Sequence, residues 1–144
     1  MRFNSMEIII SKDKITREHL KSLYNENSIE MSGNYDIEKV YNAIKNSYLV
    51  AGIWNSDVLK GFCRIISDGI YFARIQELIL SPDIRETDDI ITELLNAVFN
   101  ECKGIKSFHM NPGVYEKKEI YTRKHSSLTP RLRKIYWSIH EDEF

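Results

Sequence analysis

The sequence contains few of the residues that stabilise disulfide-rich or metal-binding proteins. Its 144 residues include only two cysteines, Cys63 and Cys102, and four histidines. The cysteines fall in an apolar strand pattern and an apolar helix stripe, which argues against a disulfide framework, and the histidines show no metal-ligand spacing such as H-x-x-x-H. We therefore expect no metal site, and we expect a protein of the reducing cytoplasm.

An excess of charge of one sign and long apolar runs are missing as well. Lysine and arginine number 20 against 21 acidic residues, which gives a formal net charge of −1. Nucleic-acid-binding domains usually carry a clear basic excess, so we expect no nucleic-acid partner. The apolar run near the N-terminus is too short for a signal peptide or a membrane span, so we expect no membrane partner. The length fits a single domain over residues 1–144.

Glycine and proline are scarce where the chain is most regular. The stretch from Tyr71 to Cys102 contains no glycine and one proline. From Tyr71 to Leu80 it is rich in aromatic, β-branched and apolar residues, which predicts a buried strand that ends at Ser81-Pro82. Beyond this turn apolar residues recur at helical spacing, which predicts a helix from about Asp88. Free backbone amides converge at such a helix start, and they commonly bind an anion.

The remaining patterns predict elements on both sides of this stretch. Further strands are expected at residues 7–11, 48–54, 58–67, 105–110 and 135–139, and further helices at residues 15–25, from 36 and from 114. Thr16 and Asp36 are suited to cap the first two helices. Turn residues at 55–57 and at Asp68-Gly69 join three antiparallel strands by short links. The predicted order is β, α, α, β, β, β, α, β, α, β.

The run GFCRIISDGIYFARIQELILSPDIR, from Gly61 to Arg85, resembles the central strands of the GNAT family of acyl-CoA N-acetyltransferases. In that family a pattern of the form GfaRvisDG...yaxIqDviVxPeyR leads into the cofactor loop. The resemblance covers about half of the chain, from Tyr48 to Arg85 and weakly again around Tyr115. It implies an α+β fold in three layers, with a mixed, mostly antiparallel central sheet flanked by helices.

The resemblance further implies a co-substrate, acetyl-CoA, and an acceptor, a small-molecule or peptide amine. It implies that the pantetheine arm of the co-substrate lies along the backbone amides of Leu78, Ile79 and Leu80. Pattern alone assigns these three residues to the core of the sheet. The two roles are compatible, since side chains can pack while the main chain binds.

Other positions that the resemblance assigns to cofactor binding follow the strand. They are Arg85, Asp88, Asp89 and Ile90, at the pyrophosphate loop and the helix start, and Asn111, near the pantetheine. Asn111 is followed by Pro112 and Gly113, and Asn-Pro-Gly is also an ordinary turn.

Two residues match family positions for proton transfer. Glu77 corresponds to the acid of the "IqD" triplet, which in some members relays the amine proton through water; an acid at a strand bulge can also simply cap free amides. Tyr115, in VYEKK, corresponds to a tyrosine that protonates the leaving thiolate in many members. A phenol suits that task because its pKa is close to that of a thiol. The family continues with "-LGF" after this tyrosine, whereas here Lys118 and Glu119 follow.

The cofactor loop departs from the family pattern. Between Asp83 and Glu93 the chain carries five acidic residues, one arginine and none of the glycines that let backbone amides approach a pyrophosphate. Acids in a first helical turn stabilise the helix, but they also repel a diphosphate. The basic residues between Lys117 and Lys134, in the C-terminal third, have two interpretations. Either they compensate for the acidic loop by binding a phosphate, or they form a solvated face.

Two functions follow from these patterns. The first is an N-acetyltransferase that transfers an acetyl group from acetyl-CoA to an amine of unspecified identity. The second is a GNAT-fold protein without catalytic activity, which acts as a binding or regulatory module through an exposed sheet edge or a homodimer contact.

Overall fold

A computed structural model describes residues 6–27, 36–84 and 88–110 of the chain. The elements of this part are β1 (Glu7–Ile10), α1 (Arg17–Glu26), α2 (Ile37–Lys45), β2 (Leu49–Asn55), β3 (Val58–Ser67), β4 (Phe72–Leu80), α3 (Asp88–Glu101) and β5 (Ser107–Met110). This order is the predicted one. The helix predicted from residue 114 and the strand predicted at 135–139 lie outside the described residues. Among the described helices, none is long and apolar enough to cross a membrane.

The starts of α1 and α2 are fixed by the two predicted caps. The N–H of His19 donates to Thr16 Oγ1, and the N–H of Thr16 donates to His19 Nδ1 in return. The N–H of Glu38 donates to the carboxylate of Asp36. These bonds satisfy amides that have no partner inside the helix, and they orient both helices as they leave the preceding loops.

The strands form one mixed sheet in the order β1-β2-β3-β4-β5. The pairings from β1 to β4 are antiparallel, and β5 pairs parallel to β4. Both predicted hairpin turns are present: Ser56 has a φ of 54° between β2 and β3, and Gly69 has a φ of 79° between β3 and β4. The predicted mixed, mostly antiparallel sheet is therefore confirmed.

Helices lie on both faces of this sheet. α1 packs on α2 and β3, whereas α3 packs on β1 and β2. Two neighbouring residues of β3 identify the two faces of the sheet. Cys63 lies beside Cys102, which directly follows α3, whereas Arg64 shares a partner with Tyr24 of α1. The arrangement has three layers, with α1 and α2 on one face and α3 on the other.

The helix α3 covers one face of the sheet with the apolar side that its sequence spacing predicts. The apolar stripe of α3 and the residue after the helix are buried throughout: Ile90, Ile91, Leu94, Leu95, Val98 and Cys102. Cys63 is also fully buried, and burial together with the neighbouring Cys102 raises the pKa of its thiol. Both cysteines are free and serve as small apolar groups of the core.

Candidate active site

In the stretch where β3 and β4 pair, β4 contains one more residue than β3. Glu77 lies opposite Arg64, and Ile75 lies opposite Ile65, so that Gln76 has no partner across the ladder. This extra residue is a β-bulge, and it shifts the alternation of side chains along β4 by one position.

The bulge places Arg74 and Glu77 on the same face of the sheet. Arg74 lies opposite Ile66, and Ile66 is two residues from Arg64 on β3 with no insertion between them, so Arg74, Arg64 and Glu77 share a face. In a regular strand, residues three apart point to opposite faces. Because of Gln76, the face on which α1 lies carries two charged side chains of β4.

Glu77 is held by Arg64 and lies beside Tyr24. Arg64 donates to Glu77 Oε1 from Nε at 3.0 Å and from Nη2 at 2.6 Å. The Tyr24 hydroxyl lies 3.4 Å from the other oxygen, Oε2. Arg64 also donates from Nη1 to Ser47 Oγ at 3.4 Å. Oε1 is therefore committed to the ion pair, and Oε2 is the oxygen available to a substrate.

Tyr24 is a neutral hydrogen-bond donor in this group. Burial and the charge of Glu77 raise the pKa of Tyr24 well above its usual value, although the charge of Arg64 opposes the shift. The phenol consequently keeps its proton over the physiological range and lies next to the carboxylate as an O–H group.

The main chain of β4 alternates between its two edges. The carbonyl of Ile79 faces Gly61 on β3, and the N–H of Ser81 donates to the carbonyl of Lys60 at 2.7 Å. Leu78 and Leu80 alternate with Ile79 and Ser81, so their N–H and C=O groups point to the opposite edge of β4. This is the edge that pairs with β5 at residues 72–75. Of the three amides named from the sequence, those of Leu78 and Leu80 face this edge, and the Ile79 main chain faces β3.

The end of β4 is lined by acidic side chains. Ser81 Oγ lies 2.7 Å from Glu26 Oε2 and 2.7 Å from Asp83 Oδ1. Lys60 Nζ lies 2.8 Å from Asp83 Oδ2. Burial by itself would raise the pKa of Asp83, but the hydrogen bonds from Lys60 and Ser81 outweigh it and hold that pKa below its usual value. Two ionisable carboxylates thus flank the point at which the chain leaves the sheet.

The start of α3 follows the predicted position. Asp88 is its first residue, Asp89 is exposed, and Ile90 is buried in the core. The side chain of Ile90 therefore belongs to the packing of α3 on the sheet. The structure describes only the backbone of Asp88. Arg85, Asn111 and Tyr115 lie outside the described residues, so their assignments stay predictions.

Four side chains of this site were not singled out from the sequence: Tyr24, Arg64, Arg74 and Gln76. Arg64 stood within the quoted family pattern, and a charged residue in each of two predicted paired strands was the signal that could have found the Arg64–Glu77 pair. Tyr24 gave no such signal, because its helical spacing assigned it only to the core. Within the described ranges, no three His, Cys, Asp or Glu side chains form a group that could hold a metal ion.

Comparison with known proteins gives a match by fold and none by sequence. No family model matches the sequence, and no curated protein matches it either. Solved structures do match. A GNAT-family acetyltransferase from Streptococcus pneumoniae is similar with a TM-score of 0.60, 18% identity and 74% coverage of each chain.

Two aminoglycoside-modifying enzymes have similar structures as well. An aminoglycoside acetyltransferase from an uncultured soil metagenomic sample, in complex with sisomicin, matches with a TM-score of 0.59 and 16% identity over 75% of this chain and 78% of that one. An aminoglycoside 6'-N-acetyltransferase complexed with coenzyme A matches with a TM-score of 0.58 and 19% identity, over 72% of this chain and 60% of that one. The described chain therefore has the GNAT fold, as its strand motif implied.

Proposed function

We propose that the protein is an N-acetyltransferase of the GNAT type, which transfers an acetyl group from acetyl-CoA to an amine. The observation that carries this proposal is the bulge in β4 of a GNAT fold. It brings Glu77 onto one face of the strand, and just beyond it the main chain of Leu78 and Leu80 turns toward the edge opposite β3.

In this proposal an extended arm that carries amide groups lies along the edge of β4 that Leu78 and Leu80 share, and it contacts the main chain of Leu80. Such an arm hydrogen-bonds to a strand edge as an additional strand would, through alternate main-chain groups. The side chains of both leucines are fully buried. These side chains anchor β4 in the core, so a ligand bound by the main chain would not compete with core packing.

In the proposed reaction the acceptor nitrogen attacks the thioester carbonyl. The N–C bond forms, the C–S bond breaks, and the acetyl group moves to the amine. The amine loses one proton and the departing thiolate gains one. Glu77 Oε2 is the proposed acceptor of the amine proton, directly or through water, because Arg64 already donates two hydrogen bonds to Oε1. Tyr115 is the proposed donor to the thiolate.

Calorimetric titration with acetyl-CoA and a turnover assay test the proposal together. We expect binding, and we expect CoA release that depends on an added amine. Glu77→Gln should lower turnover at neutral pH and shift the pH profile, since the amide cannot accept the proton. Tyr115→Phe should lower turnover more than affinity, because the phenol acts on the leaving group.

Matched controls separate these roles from general damage. Tyr71→Phe removes the hydroxyl of an exposed tyrosine at the start of β4 and should leave turnover unchanged. Unchanged turnover in Tyr115→Phe removes Tyr115 from the mechanism. Absence of binding at millimolar acetyl-CoA contradicts the proposed activity as a whole.

The acidic end of β4 favours a second candidate, a GNAT-fold binding or regulatory module without acetyl transfer. Glu26 and Asp83 meet at Ser81 Oγ, and Asp89 is exposed on the first turn of α3. Carboxylates near a helix start repel a diphosphate by about 1 kcal/mol per close pair at an exposed surface. This candidate gains support if acetyl-CoA neither binds nor raises the melting temperature. A cytoplasmic location and a homodimer stay predictions for either candidate.

A further inference from the structure

Arg74 carries a cation that no group of the described chain neutralises. Its side chain is half-buried, its Nε atom is buried, and that atom has no hydrogen-bond partner. The neighbouring Gln76 has a buried amide oxygen, Oε1, which also lacks a partner. Buried polar atoms in folded proteins nearly always have partners, so a donor and an acceptor without partners, two residues apart on one strand, require an explanation.

The acids nearest along the sheet are committed elsewhere. Glu77 gives Oε1 to Arg64, as described above. Asp68, in the turn before β4, accepts from the N–H groups of Ile70, Tyr71 and Phe72. The two lysines near Ser47 add further positive charge: Lys12 Nζ donates to the Ser47 carbonyl at 2.9 Å, and Lys45 Nζ donates to the Lys12 carbonyl at 3.2 Å. Lys45 is itself paired with Asp13, whose Oδ1 lies 3.4 Å from Lys45 Nζ, whereas Arg74 forms no ion pair with any described residue.

A guanidinium is well suited to bind one chemical group in particular. Its planar array of N–H donors matches the two oxygens of a carboxylate, and a charged hydrogen bond of this kind is stronger than a neutral one. The unpartnered Gln76 Oε1 is an acceptor that can take an N–H group. Glu77 Oε2, on the same face, is an anionic acceptor that can take an ammonium or amine.

We propose that the acceptor substrate of this protein is an amine that also carries a carboxylate, namely an amino acid or a short peptide with a free carboxyl end. This inference rests on the proposed acetyl transfer and specifies its substrate class. Arg74 binds the carboxylate, and Glu77 Oε2 receives the amine. The two residues are three positions apart, about 10 Å along the strand, and the long arginine side chain covers part of that span.

The same arrangement disfavours polycationic amines. The two aminoglycoside-modifying neighbours described above act on a class of compound that carries several ammonium groups and no carboxylate. Here a polyamine or an aminoglycoside would meet the unneutralised guanidinium of Arg74 instead of a second acid. The proposed substrate class of this chain therefore differs from that of those neighbours, although the fold is the same.

The test uses amino acids and dipeptides, each presented as the free acid and as the carboxamide, with spermidine and sisomicin as polycations. The rate of CoA release from acetyl-CoA is measured for wild type, Arg74→Gln, Arg74→Lys and an exposed control, Lys103→Gln. A carboxamide changes the reactivity of the neighbouring amine, so the quantity compared is the acid-to-amide ratio of kcat/KM in each variant relative to wild type. Intrinsic reactivity cancels in that comparison.

We expect Arg74→Gln to lower the acid-to-amide ratio by about tenfold to a hundredfold, through KM more than kcat. Arg74→Lys should recover part of the ratio, and Lys103→Gln should leave it unchanged. If transfer occurs but the ratio is the same in Arg74→Gln, or if polycations are the better substrates, the substrate class is wrong while the proposed activity stands. If acetyl-CoA binds but no amino acid or dipeptide of the set is acetylated, the substrate class is overturned. If acetyl-CoA does not bind, the proposed activity is overturned as well.

Discussion

Arg64 and Glu77 form the ion pair at the centre of the candidate site. Their side chains are 14% and 25% exposed, so each charge is largely removed from water. A pair in this position contributes little net stability compared with two apolar side chains, because desolvation offsets much of the attraction. Its effect is to orient Glu77: with Oε1 fixed by Arg64, Oε2 has a defined direction beside Tyr24.

A double-mutant cycle measures the coupling energy between Arg64 and Glu77. Arg64→Met should lower the free energy of unfolding by about 2 kcal/mol, because it leaves the Glu77 carboxylate partly buried without its donor. Arg64→Met with Glu77→Gln should be less destabilised than the sum of the single changes. Urea denaturation of the four proteins gives the coupling energy.

The exposed pair Arg17–Glu38 is the matched control. Its side chains are 45% and 55% exposed, so solvent screens the two charges, and its coupling should be much weaker than that of Arg64 and Glu77. Equal coupling in the two pairs would show that burial of Arg64 and Glu77 has no part in their interaction.

At the scale of elements, the position of β4 depends on close contact with β3 at Gly61. A Cβ atom on Gly61 would lie 2.8 Å from the carbonyl oxygen of Ile79 and 3.0 Å from Leu80 Cδ2. Backbone cannot yield as a flexible side chain can, so β4 would have to move away from β3. The strand edge at Leu80 would move with it.

We therefore expect Gly61→Ala to lower the free energy of unfolding by about 1–3 kcal/mol. Gly104→Ala is the control, since a Cβ atom there meets no heavy atom within 4 Å. If acetyl-CoA binds along β4, calorimetry should also show weaker binding for Gly61→Ala and unchanged binding for Gly104→Ala. Equal stability of the two variants would contradict the close contact.

The start of α3 permits a test of the acidic segment. Asp89→Asn removes one exposed negative charge from the first turn and should raise the affinity for acetyl-CoA about fivefold, which corresponds to about 1 kcal/mol of repulsion. The same change should slightly destabilise the helix, because an acid in the first turn interacts well with its dipole. Isothermal titration and thermal unfolding give the two quantities separately.

Glu101→Gln is the matched change at the other end of the same helix. Glu101 is exposed and is the last residue of α3, about 18 Å from Asp89 at 1.5 Å per residue. Charges at that distance are screened at physiological salt, so its affinity for acetyl-CoA should equal that of wild type. Equal affinity of all three proteins places the co-substrate away from the start of α3.

At the scale of the whole molecule, the sequence predicted what depends on local periodicity. The described strands and helices fall within a few residues of their predicted bounds, because the apolar spacing and the caps at Thr16 and Asp36 act within one element. The bulge at Gln76 was not predicted as such. It depends on the register between two strands, and residues 13 positions apart meet only once that register is set.

The candidate site could be predicted only where it coincides with a defined position of a motif. Glu77, Leu78 and Leu80 are such positions in the strand that resembles the family pattern. Arg74 occupies a variable position of the same pattern and Tyr24 lies outside it. The relation of these two residues to Glu77 depends on how α1 lies on the sheet and on the change of face at the bulge. Such properties follow from the packing of separate elements.

The dependence of stability on pH combines contributions from across the fold. Hydrogen bonds from the N–H groups of Ile70 and Tyr71 lower the pKa of Asp68 below its usual value. A carboxyl group whose pKa is lower in the folded than in the unfolded chain stabilises the fold above its unfolded pKa, and this contribution is lost as the pH falls through the folded pKa. The pKa values of Asp83 and Glu38 are lowered as well. We therefore expect the free energy of unfolding to decrease below about pH 4.

Asp68→Asn isolates the part of this dependence that belongs to the β3–β4 turn. Asparagine keeps an oxygen that accepts hydrogen bonds from the main-chain N–H groups that follow it, but it does not titrate. The free energy of unfolding of this variant should therefore decrease less than that of wild type between pH 5 and pH 2.5. Asp57→Asn, in the β2–β3 turn, is the control: within the described residues its carboxylate accepts no hydrogen bond, and the wild-type pH dependence should be retained. Urea denaturation across the pH series measures all three proteins. Identical acid dependence of wild type and Asp68→Asn would mean that the three amides at the turn stabilise the charged and neutral oxygens equally, which contradicts the lowered pKa of Asp68.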